Sequence, residues 1–129
     1  MTISGEDLLA AFEEGRIDTP RFGHREHLRV AYLMLRKHDF LDATCRYARM
    51  IEKLAKAAGA PKKFNVTITV AFMSLIAERM AESVSDDDTG FLAANPDLLE
   101  KQVLASLYSR ERLASDLARS AFLLPDEAA

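Results

Sequence analysis

Apolar positions recur with helical spacing along nearly the whole chain, and no segment alternates apolar and polar residues over the length of a strand. The first stripe is Leu8, Leu9 and Phe12. Ser4 stands where it can cap the free amides of that helix, Glu6 and Asp7 occupy its positive first turn, and Gly15 ends it. A linker over 16–23 containing Pro20 leads to a second helix, about His24 to Lys37, which His38-Asp39 interrupts. A third helix is expected from about Leu41 to Ala58. Its inner stripe would be Leu41, Thr44/Cys45, Ala48, Ile51/Leu54 and Ala55. Gly59 and then Pro61 stop it.

Beyond that point the pattern is less regular. Val66 to Val70, VTITV, is β-branched and alone reads as a strand. The helix-compatible run continues to Met80, so a helix from near Val66 is expected, with Asn65 or Thr67 as its cap. It is apolar nearly all round, as in a helix buried on most sides. An acidic turn over Ser85 to Asp88 follows, with Asp88 capping a short helix through Ala94. Asn95-Pro96 pairs a capping residue with proline at a first helical position. Leu98, Leu99, Val103, Leu104 and Leu107 then stripe a helix ending near Tyr108. Ser109 starts a last helix, about Arg110 to Ala121, and FLLP forms an apolar tail. The pattern predicts an all-α fold, a compact antiparallel bundle of about six helices, as a single domain over 1–129.

Composition narrows the partners. A chain of 129 residues buries one core but not two, and 49% apolar with 29% charged residues is globular composition. Seventeen basic against twenty acidic side chains leave a net charge of −3, so nucleic acid is not an expected partner. The longest nearly uncharged run, 64–77, has about 14 residues, short of the ~20 that span a bilayer, so no membrane is expected either. A single cysteine, Cys45, fits a reducing compartment. The acidic start MTISGEDLLAAFEEG lacks secretory features, and a cytoplasmic location is expected.

Candidate chemistry concentrates in RFGHREHLRVAYLMLRKH, 21–38. His24 and His27 lie about 60° apart around a helix axis. They share a core-facing row with Leu28, Ala31 and Leu35, while Arg25, Arg29 and Arg36 form a basic ridge on another side. Imidazoles at i and i+3 can converge on one divalent metal ion or one small anionic ligand. A metal would need a further ligand from another helix, a carboxylate, an amide or Cys45, since His38 is ~21 Å further along the axis. The plainer alternative is a pair of histidines bonded to backbone or carboxylates with no ligand. On the Val66 helix, Thr69 lies among Phe72, Met73, Ile76 and Met80. Its hydroxyl either bonds the preceding turn's carbonyl or joins Asn65 at a cavity shared with the histidines. Thr67 heads a row with Ala71, Ser74 and Glu78, and Glu78, if buried, would need a cation such as Arg29. Lys62 and Lys63 either attract an anion beside the helix start or belong to a solvated loop.

The segments FGHREHLRVAYLML, KFNVTITVAFMSLIAERM, NPDLL with LYSRERLASDLAR, and FLLPD resemble a family of small, uncharacterised bacterial all-helical proteins. Its motifs are F-x-H-x-x-H-L and K-[FY]-[HN]-x-T-x-T, and the resemblance covers about Phe12 to Asp126. It implies a helical fold and a candidate site. His24 and His27 match the two histidines, and Thr67 and Thr69 match T-x-T. Many relatives carry histidine where this chain has Asn65, and three histidines from two helices would make a metal triad. Asparagine is a poor ligand for zinc-type ions, so a small-molecule pocket fits this chain better. The family implies no activity.

Two functions are expected on these grounds. The first is a histidine-lined polar pocket for a small molecule or metal ion, built by His24, His27, Asn65, Thr67, Thr69 and Glu78, in which a histidine could act as base or ligand. The second is a non-catalytic helical protein with structural histidines, acting through protein contacts or as a homodimer joined by FLLP and the apolar helix. G-x-S-x-G, a glycine-rich phosphate loop, H-E-x-x-H and C-x-x-C are all absent, so no enzyme class is assigned.

Overall fold

In a computed structural model describing residues 3–127, five helices make up most of the chain as far as Ala94. They are α1 (Gly5–Glu13), α2 (His24–Lys37), α3 (Phe40–Ala57), α4 (Val66–Glu82) and α5 (Asp88–Ala94). Four of the five starts carry a side-chain cap. Ser4 accepts from the Asp7 amide, Asp39 from Asp42, Asn65 from Ile68 and Asp87 from Gly90. α5 is therefore capped by Asp87, one residue before the expected Asp88. Among the described residues there is no strand, and the fold is all-α. VTITV is helical because Asn65 caps it and the helix it opens packs against α2 and α3, which outweighs β-branched preference. No helix among the described residues is long and apolar enough to cross a membrane.

The most enclosed helix is α2 rather than α4. It packs against α1, α3, α4 and α5, and Leu28 to Tyr32 are buried without interruption. Around it Phe12 stacks with Phe22 and Tyr47 at centroid distances of 5.8 and 5.6 Å, and Tyr32 stacks on Phe91 at 4.6 Å. This enclosure corrects the basic ridge. Arg25 and Arg36 are exposed, but Arg29 is 2% exposed and its Nε bonds Asp88 Oδ2 at 2.5 Å. The core side of α3 also differs from the expected stripe. Ala43 and Tyr47 are buried, Met50, Ile51 and Leu54 pack against the core, and Leu41 and Cys45 face out. The face is turned by ~100°, one residue's rotation, in the first half of the helix only, since Ile51 and Leu54 belong to the expected stripe. Tyr47 is absent from the expected stripe, and its ring is core.

Past Ala94 the two expected long helices become four short pieces. The first two are 3₁₀ segments, Pro96–Leu99 and Lys101–Ser106, followed by α6 (Arg110–Leu113) and α7 (Asp116–Ser120). At both breaks a backbone carbonyl turns toward an earlier helix. The Leu98 carbonyl accepts from His24 Nε2 at 3.0 Å, and the Leu113 carbonyl accepts from Asn65 Nδ2 at 2.7 Å. The tail is tied back too. Thr67 Oγ1 donates to the Ala121 carbonyl at 2.7 Å and accepts from the Leu123 amide at 3.1 Å. Asp126 holds the Ser109 amide and hydroxyl, each at 2.7 Å. FLLP therefore folds onto its own chain, with Phe122 and Leu124 outward.

Candidate functional site

The first turn of α2 sets both histidines against the Val66 helix and its neighbours. A carbonyl only accepts, so the bond to Leu98 places the His24 proton on Nε2, and the ring edge meets Phe72 at 5.5 Å. The His27 ring lies against Phe22 with centroids 4.4 Å apart, and its backbone carbonyl accepts from the Tyr47 hydroxyl at 3.3 Å. Burial pushes the Tyr47 phenol far above its ordinary pKa, so this hydroxyl stays protonated and can only be a neutral wall group.

Two hollows meet at His27. An inner one of about 110 Å³ is lined by His24, His27, Thr69 and Tyr47 and otherwise walled by hydrocarbon such as Phe72 and Ile76. An outer one of about 250 Å³ lies among the start of α2, the last turns of α3 and the Pro61–Lys63 turn. Phe22, Ile51, Leu54 and Phe64 form its walls, and His27, Thr19 and Lys63 supply its polar groups. His27 and Ile51 belong to both, and among the described residues no aspartate or glutamate lines either.

The six residues named from sequence do not all converge. His24, His27 and Thr69 share the inner hollow. Thr69 Oγ1 donates back to the Asn65 carbonyl at 2.8 Å, as an interior threonine commonly does. Asn65 and Thr67 line neither hollow, because their polar atoms are used on the Ile68 amide, the Leu113 carbonyl and the tail. Glu78 is exposed, and the cation suggested for it is occupied by Asp88. Cys45 is exposed, in a groove on another face of α3. Among the described residues no three His, Cys, Asp or Glu side chains gather as a metal site would require. Comparison with known proteins adds nothing to this geometry. No family model, curated protein or solved structure matches the chain. What marks the site is the position of His27.

Sequence reasoning missed two lining groups: Tyr47, which lies off the expected stripe of α3, and Ile51, which that stripe held only as a core residue. Phe64 stands in the quoted motif segment but was not among the named site residues. Its signal was the motif K-F-N itself, which puts Lys63 and Phe64 immediately before the α4 cap.

Proposed function

We propose that the protein binds a small molecule in the two hollows that His27 divides, and that it belongs with the helical family carrying the F-x-H-x-x-H-L and K-[FY]-[HN]-x-T-x-T motifs. One observation carries the reading. Phe22, His24, His27 and Leu28 from one segment and Lys63, Phe64 and Thr69 from the other line the paired hollows. Small-molecule sites are commonly such places, largely apolar with a few convergent polar groups.

The test is a thermal-shift screen of a metabolite library with wild type, His27→Ala and, as an exposed control, Glu78→Ala. A ligand at about a hundred times its Kd adds about 2.7 kcal/mol to stability. Such a ligand should stabilise wild type and Glu78→Ala and lose at least tenfold in affinity with His27→Ala. A ligand that stabilises all three equally would place binding elsewhere and overturn the proposal.

A second reading, association of two copies, is favoured by a different surface. Leu41 is 79% exposed beside an open groove of about 740 Å³ that also contains Cys45, Val66 and Val70. Arg49, Lys62 and Arg119 line it with one acid, Glu52, which pairs with Arg49. The exposed stretch Val84, Asp86 and Asp87 of another copy offers the complementary apolar tip and acids.

A further inference from the structure

The outer hollow has a charge preference. We infer that it takes a small carboxylate with an apolar body, the carboxylate at Lys63, His27 and Thr19 and the hydrocarbon against Phe22, Leu54 and Phe64. The inference rests on the small-molecule reading of the same hollow and adds the class of ligand.

Three observations lead to it. First, the polar groups lining the outer hollow are one lysine, one imidazole and one hydroxyl, with no carboxylate. An amine entering it would meet an ammonium and find no acid, whereas an anion meets a cation and further donors. Second, the nearby end of α3, whose carbonyls would repel an anion, is closed on itself. The Ala60 amide bonds the Ala55 carbonyl at 2.9 Å, and the Gly59 amide bonds Lys56 at 3.0 Å, with Gly59 at φ 73° supplying the left-handed turn. Third, the size suits a small amphipathic acid. A cavity of 150 Å³ holds benzene, so 250 Å³ corresponds to about ten heavy atoms, the size of benzoate or octanoate. Walls of phenylalanine, leucine, isoleucine and alanine match that body.

Lys63 is exposed, which sets the magnitude. A charge pair at a wet edge contributes about 0.2–1 kcal/mol, so the acid should bind up to about fivefold tighter than its neutral amide.

The experiment titrates the full chain with benzoate and octanoate and with benzamide and octanamide, at fixed ionic strength, by calorimetry or protein NMR. Both acids should bind tighter than their amides, by up to about fivefold, with shifts on His27, Ile51 and Phe64. Lys63→Gln should erase that preference, and the neighbouring Lys62→Gln should leave it intact. Amides binding as well as acids, or a preference that survives Lys63→Gln, would overturn the anion inference while the small-molecule reading stands. Binding of neither class at millimolar concentration overturns this inference, and indifference of library ligands to His27→Ala overturns the reading beneath it.

Discussion

Arg29 and Asp88 join three parts of the chain that are distant in sequence. The guanidinium on α2 meets the carboxylate at the start of α5, and its Nη2 donates to the Ile3 carbonyl ahead of α1 at 2.7 Å. α1 approaches so closely that a Cβ on Gly5 would lie 2.9 Å from Asp88 Oδ1. Removing one member of a buried pair strands the other, at a cost of about 3–5 kcal/mol. Asp88→Ala should therefore destabilise by that amount in urea denaturation, and the double variant Arg29→Met, Asp88→Ala should recover much of it. A mild effect of the single variant would show that water reaches the pair. Tyr47 gives a pH test. Its phenol is held far above the ordinary value of 10.0 by burial, so its contribution to stability is whole below about pH 10 and is lost as pH rises beyond that. Tyr47→Phe should flatten the alkaline limb of stability against pH and cost about 1 kcal/mol or less at neutrality, for one long hydrogen bond. Spacing put Arg29 on an outward ridge and left Tyr47 off the core stripe. Helical periodicity treats every arginine as outward and discounts a tyrosine, whereas burial is decided by what packs on the other side.

Between elements, the polar groups that seemed to announce chemistry act mainly as clamps. His24, Asn65 and Thr67 each bond a carbonyl in the last third of the chain, at Leu98, Leu113 and Ala121. That arrangement accounts for the short pieces past Ala94, and sequence could not reveal it because it depends on contacts 48 to 74 residues apart. By contrast, α1, α2, α4 and α5 were legible, since caps and periodic stripes are local signals. Thr67→Val leaves a carbonyl and an amide unpaired at a buried position and should cost about 1–3 kcal/mol, with faster hydrogen exchange at the Leu123 amide. Thr67→Ser should restore protection. Thr69→Val, which loses only a bond to its own helix, should change stability by less than about 1 kcal/mol. Equal effects at both positions would remove the clamp from Thr67.

For the whole molecule, the groove beside Leu41 decides between a lone chain and an assembly. Two reciprocal contacts, each seating the Val84 turn of one copy in the groove of the other, would close a two-fold dimer. Its melting temperature should rise with protein concentration, and Leu41→Asp should abolish that dependence. A light-scattering mass of one chain at every concentration would remove this reading. The candidate site was legible to about half its depth. His24, His27, Thr69 and Lys63 were picked out as candidates on helical spacing or local charge, while the face from α3 needed the fold. One consequence concerns the ring that forms a wall of both hollows. The ring stands as a partition, and turning it about χ1 and χ2 breaks its packing on Phe22. A guest that fits the outer room leaves the partition in place, while a longer one must swing it away from Phe22 to reach the inner room. Affinity along a series of lengthening guests should therefore climb, stall at the partition and climb again only for those long enough to repay the lost ring contact.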